Sequence, residues 1–234
     1  IDLHCADTAP LARLSGAGGT LFADRERLAR IVAAVRDAFP GLLSVKIRLG
    51  DAGEGWEERL FDRLRLFEDL GVDLVTLHPR FAHEKLRGRP RHEMCDAVAA
   101  RTRLPILANG DLLDARTVEA RPSRWTRVAG LMLGRMAAIR PWVFAAWGRP
   151  FDPPPALEVW ERFCDYAIED YGPQKGFYRI KAWAPYYALN FLFSHTLATI
   201  GRGARDLSDL RTRARDFLAT APVRVQNPGL EIEK

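Results

Sequence analysis

The chain has 234 residues, 47 % of them apolar and 28 % charged, with a formal net charge of +5. This allows one large domain or a medium domain plus a small one and suits an anionic partner without naming one, and no uninterrupted apolar stretch is long enough to cross a bilayer. The opening Ile1-Asp2-Leu3-His4 lacks the features of a signal peptide. Cys5, Cys95 and Cys164 are scattered, odd in number and not at metal-ligand spacing, which argues for a reducing, cytoplasmic setting without a disulfide framework.

In chain order, Ile1-Asp2-Leu3 reads as the end of a strand. Asp24 is a candidate N-cap for a helix with Leu28, Ile31, Val32 and Val35 on one face. A second strand follows at Leu42–Ile47. The next helix carries Trp56, Leu60, Leu64 and Phe67, and Gly71 sits where a C-cap glycine belongs. Further strands are predicted at Leu74–Leu77, Pro105–Ala108 and Ala129–Leu133. Strands separated by single helices imply a parallel sheet with right-handed crossovers.

At Phe151-Asp152-Pro153-Pro154-Pro155 three consecutive prolines rule out a helix or central strand, so this segment reads as a linker. Beyond it, Leu157, Trp160, Phe163, Cys164, Ala167, Ile168 and Tyr171 form one apolar stripe at helical spacing. Trp183, Tyr187 and Phe191 suggest a second helix, and Leu207, Leu210, Phe217 and Leu218 a third. The expected fold class is α/β: a partial TIM barrel of parallel β/α units over residues 1–150, then a small all-helical domain over 156–226.

In such barrels the functional groups collect at the C-terminal strand ends. Here those positions hold His4, Cys5 and Asp7; Lys46 and Arg48; His78 and Arg80; Asn109-Gly110-Asp111; and Gly134-Arg135. Each alone has a structural reading: an ion-paired lysine, a buried histidine, a turn. Five such strand ends in succession fit a phosphorylated cofactor instead. Gly110 and Gly134 would let backbone amides approach a phosphate, and Arg135 would add charge.

These strings, in this order, resemble the tRNA-dihydrouridine synthases. The resemblance rests on Ile1-Asp2-Leu3-His4…Gly18-Gly19-Thr20-Leu21, Lys46-Ile47-Arg48-Leu49-Gly50, Leu77-His78-Pro79-Arg80, Ala108-Asn109-Gly110-Asp111, Gly134-Arg135 and Arg179-Ile180-Lys181-Ala182-Trp183. It covers nearly the whole chain. It implies FMN-dependent reduction of uridine in tRNA with NADPH as reductant. Lys46 and His78 would contact the flavin, and Asn109, Gly110, Asp111, Gly134 and Arg135 would hold its ribityl phosphate. Residues 1–150 would then be the flavin domain and 156–226 a tRNA-binding domain using Lys175, Arg179 and Lys181, with Arg202, Arg211, Arg213 and Arg215 as further basic groups.

Two departures from the family stand out. Its proton-donating cysteine aligns with Asp7, His4 replaces an asparagine, and Thr8 replaces a proline. An aspartic acid of pKa about 3.9 is roughly a thousandfold depleted in its acid form at neutral pH, a penalty of about 4 kcal/mol. Burial would have to raise that pKa by about three units. Cys5, two residues away, is the other candidate donor. In addition, about five strands fall short of the eight of a closed barrel, so the chain reads as lacking the family's first strands. Competing readings are a catalytically silent RNA-binding relic and a flavin reductase of a small unsaturated substrate. A Cys5→Ala variant should lose most uridine reduction if Cys5 is the donor. Full activity, measured as dihydrouridine formed per enzyme, would assign the role elsewhere.

Overall fold

A computed structural model describes residues 18–85 and 87–224 of the chain. Among the described residues, β1 (Ser44–Arg48), β2 (Leu74–His78), β3 (Ile106–Asn109) and β4 (Gly130–Met132) form one parallel sheet in sequential order. The helices of this part are α1 (Arg25–Ala38), α2 (Trp56–Asp69), α3 (Glu93–Ala99) and α4 (Ala115–Glu119). These are parallel β/α units of the TIM-barrel type, followed by a helical C-terminal region. The strand expected at Ile1-Asp2-Leu3 lies outside the described residues.

Local signals place the first helices. The Asp24 carboxylate accepts from the Arg27 amide at 3.0 Å and caps α1, which buries Leu28 and Val32. At the end of α2, Gly71 has φ 69°. Its amide bonds to the Glu68 carbonyl at 3.2 Å, and that of Val72 to Phe67 at 2.9 Å. That is the left-handed helix stop for which glycine is suited. Arg63, buried on α2, donates from Nε to the Phe22 carbonyl at 2.9 Å and from Nη2 to Ala23 at 3.1 Å, tying the turn before α1 to α2.

Carboxylates secure the loops entering the strands. Asp73 accepts from the Leu43 amide at 2.7 Å, Glu68 from Arg103 at 2.8 Å and Asp96 from Arg127 at 2.6 Å. All three have pKa values below the ordinary carboxylate range. Hydrogen bonds from Thr102 and Leu43 are the leading causes for Glu68 and Asp73; for Asp96, hydrogen bonds from Arg127 and Thr126 outweigh an opposing effect of burial.

The described residues form two compact units. One holds the chain to Leu112 together with Arg116–Gly134; the other holds Leu113–Ala115 and the residues from Arg135 onward. The second unit comprises α5 (Arg135–Ile139), α6 (Ala156–Ala188), α7 (Ser194–Gly203) and α8 (Leu207–Leu218). Two helical arms of α6 meet at Gly172, with φ 73° and ψ 167°. They approach so closely that a Cβ on Gly176 would lie 2.7 Å from the Ala167 carbonyl oxygen. Trp160, Trp183 and Tyr187 stack in this unit's core, and the Trp183 indole donates to the Ala138 carbonyl at 2.7 Å. The first two helices expected beyond the prolines are one element, α6, bent at Gly172, and Phe191 lies past its end; the third apolar stripe falls on α8, whereas α7 had no counterpart among the sequence expectations. An Asp24→Ala substitution should cost about 1 kcal/mol, by analogy with other lost caps, and Asp24→Asn much less. Urea unfolding of the two variants checks this.

Candidate functional site at the strand ends

The sheet has two chemically different faces. Side chains alternate along a strand, so Val45, Ile47, Val75, Leu77, Ile106 and Ala108 share one face and are all buried. The cross-strand pairs Lys46↔Thr76 and Arg48↔His78 put four polar residues together on the opposite face. Asn109, at the end of β3, continues that face by parity. Parallel strands are ordinarily apolar on both sides, so this polar face needs a reason. Lys46 is half-buried there, and Arg48 is buried, donating from Nη1 to the Phe81 carbonyl at 3.2 Å.

Beyond the strand ends the central group is Arg80, only 1 % exposed. Its guanidinium donates to the Gly88 carbonyl at 3.2 Å from Nε and 2.5 Å from Nη2. It meets the His78 ring at Nε2 at 3.0 Å, and both oxygens of Asp111. Arginine can only donate, so His78 Nε2 accepts and the neutral ring carries its proton on Nδ1. Arg80 thus clamps the end of β2 to the loop after β3.

That loop is shaped by Gly110. Its φ is 107°, and an added Cβ would lie 2.9 Å from His78 Cδ2 and 3.2 Å from Pro90 Cβ. Asp111 also has positive φ, 47°. The Gly110 carbonyl accepts from His92 Nε2 at 2.6 Å. Burial is the largest influence on His92 and holds its pKa below the ordinary value. Asn109 is engaged too, its amide donating to the Met132 carbonyl at 2.7 Å across to β4. Gly134 differs from Gly110: a Cβ there would meet nothing within 4 Å.

The structure therefore brings His78, Asn109, Gly110 and Asp111 to the C-terminal ends of β2 and β3, with Gly134 just past β4; Lys46, expected at a strand end, lies in the middle of β1 on the same polar face. Arg135 opens α5 in the second unit. Cys5 and Asp7 lie outside the described residues. Of the tail cations, Lys175 and Arg179 are exposed on α6. Lys181 instead donates to the Ala204 carbonyl at 2.9 Å and lies 4.9 Å from the Phe177 ring, which commits its ammonium to the fold. Arg211 and Arg215 pair with Glu161, and Arg213 with Asp209. Burial pushes the thiols of Cys95 and Cys164 up to about 12. Sequence reasoning missed the role of Arg80, although its position two residues after His78, beyond a strand end, was visible.

Parallel β/α units with a polar sheet face and polar strand ends define a TIM-barrel-type domain with its site at the barrel's functional end. The family follows from comparison with known proteins. The dihydrouridine synthase family model matches residues 9–194, and the chain belongs to that family of oxidoreductases acting on tRNA. It is 28 % identical to tRNA-dihydrouridine synthase B of Yersinia pestis over 223 residues, covering 90 % of this chain and 68 % of that protein. It is 27 % identical to the protein of the same name from Escherichia coli K12, over 93 % of this chain and 71 % of the relative. Over a shorter stretch, 62 % of this chain and 42 % of the relative, it is 32 % identical to the one from Serratia marcescens.

The two glycines should respond differently to substitution. Gly110→Ala should lower stability by about 1–3 kcal/mol, the scale of enforced backbone strain. Gly134→Ala should leave unfolding by urea unchanged within error.

Proposed function

We propose that this chain reduces the carbon–carbon double bond of uridine in tRNA, using FMN and NADPH. The observation that carries the reading is the convergence of His78 and Asn109-Gly110-Asp111 at adjacent strand ends, with Lys46 on the same polar face of the sheet, in a member of the dihydrouridine synthase family.

The residues present fit the cofactor. Lys46 places a cation on the polar face, where it would meet the flavin with His78. Gly134 has open space where a side chain would otherwise stand, as a backbone close to a phosphate requires. The Asn109-Gly110-Asp111 loop would hold that phosphate. Asp111 is a carboxylate, yet Arg80 engages both of its oxygens, so its charge is offset beside an anion. Bound FMN, reduced by NADPH, would supply hydride to one ring carbon of the uracil.

The chain's own tasks are then to seat an unstacked base and to deliver a proton to the other ring carbon. Uridine must leave its stack to be reached. Either Cys5 or Asp7 would serve as proton donor. Cys95 and Cys164 are protonated but buried, which keeps them from substrate. Lys175 and Arg179 on the exposed side of α6 would grip the tRNA backbone, where Tyr171 and Tyr178 are also exposed. Arg179 lies 4.6 Å over the Tyr171 ring.

The first test is the visible spectrum of the purified protein, followed by titration with free FMN. A flavin spectrum with NADPH oxidation dependent on uridine-containing tRNA is the expected result, and Gly134→Ala should weaken FMN binding without lowering stability. Colourless protein that ignores FMN yet binds tRNA in a salt-sensitive way would overturn the reductase reading in favour of an RNA-binding protein.

A further inference from the structure

Beside the strand ends, within the β/α unit, lies a cleft of about 560 Å³. One wall is the loop entering α3, with Arg89 and His92; the other runs from Thr117 to Trp125 and carries Arg121 and Arg124. Asp111, the residue that Arg80 clamps, also lines the cleft, which joins it to the strand-end site.

Among the described residues, Arg89, Arg121 and Arg124 form no ion pair. That contrasts with Arg91 on the same wall, whose fork grips both oxygens of Glu84 at 2.8 Å. Of the acids at the rim, Asp111 is taken by Arg80, which leaves the exposed Glu93 against three arginines. The cleft is therefore net positive with His92 neutral. The Arg124 charge is one of the influences that depress the His92 pKa, after burial.

Trp125 adds an aromatic surface. Its indole N–H is satisfied by the Val118 carbonyl at 3.1 Å, and its ring lies 4.9 Å from that of His92. Guanidinium forks match the oxygens of a phosphodiester, and an aromatic ring tolerates sugar or base against it. A nucleic-acid backbone meets all of these features at once.

We propose that this cleft binds the phosphodiester backbone of the tRNA substrate through Arg89, Arg121 and Arg124, as a contact surface of the β/α unit independent of the helical tail. The inference rests on the tRNA reading above. It adds a place where phosphates flanking the target uridine are held next to the strand ends.

The test is binding of an in vitro tRNA transcript as a function of salt, comparing wild-type protein with Arg121→Ala/Arg124→Ala. None of the three arginines is buried, and none is ion-paired among the described residues, so the variant should keep its fold, with circular dichroism and FMN absorbance as controls. Each lost phosphate contact removes about 0.9 from the slope of log K against log salt. The double variant should therefore lose about 1–2 from that slope and bind the transcript tenfold or more weaker at low salt. Arg121→Lys/Arg124→Lys should keep most of the slope. An unchanged slope and affinity in the alanine variant, with wild type binding normally, overturns the cleft but not the tRNA reading. A wild-type protein that ignores the transcript overturns both. A raised KM for NADPH with tRNA affinity unchanged would assign the cleft to the dinucleotide's phosphates and overturn the RNA assignment.

Discussion

The geometry of the strand-end site depends on one buried guanidinium. Arg80 has five N–H bonds and makes five contacts: two to the Gly88 carbonyl, two to Asp111 and one to the His78 ring. Burying a charge is tolerable only when it is paired and its donors are met, so each acceptor is held in place by the need to satisfy the others. His78 is thereby fixed in orientation and tautomer. The loop after β3 is drawn toward it until Gly110 lies against the imidazole, where a methyl group would not fit. A loop that would otherwise be a simple Asn-Gly-Asp turn becomes rigid, because its carboxylate is anchored by Arg80 just past β2.

The same logic explains the polar face of the sheet. The apolar face is the one whose residues are uniformly buried, and packing of α1 and α2 against it accounts for Leu28, Val32, Leu60, Leu64 and Phe67. The opposite face carries Lys46, Arg48, Thr76, His78 and Asn109. Several of these are secured to backbone carbonyls or to each other: Arg48 to Phe81, Asn109 to Met132 and His78 to Arg80. Such a face is unfavourable in a purely structural sheet, since a hydrocarbon face would pack with less desolvation cost. A polar face of this kind is what the functional end of a β/α barrel would carry.

Legibility from sequence followed the range of the interaction. The Asp24 cap and the Gly71 helix stop involve residues within a few positions of one another, and both were readable. The four described strands also matched their apolar runs to within a residue or two. Arg80 was visible as a residue but not as a clamp, because its partner Asp111 is 31 positions away. Helix α7 escaped notice because Ser194-His195-Thr196 and two glycines mask its short apolar stripe, Leu197 and Ile200. Lys181 looked like any other tail cation until its ammonium was found on the Ala204 carbonyl. The arginine cleft was invisible for the same reason as the clamp: Arg89, Arg121 and Arg124 come from segments that only folding brings to one hollow.

Net charge illustrates why this distinction matters. A formal +5 suggests a generally basic surface, yet many of the cations neutralise neighbours. Arg211, Arg213 and Arg215 sit on Glu161, Asp165 and Asp209 along the tail. Arg103 and Arg127 sit on Glu68 and Asp96, carboxylates that also cap backbone amides. An anionic partner responds to the cations left over, because a paired arginine has already spent its fork on a carboxylate. Among the described residues, Lys175 and Arg179 on an exposed helical arm among tyrosines form no ion pair, nor do Arg89, Arg121 and Arg124 around one cleft. In the β/α unit the cleft gathers three such arginines at one place, where they would act together on a polyanion. That is the pattern expected of a protein that must position a long, folded nucleic acid as well as attract it.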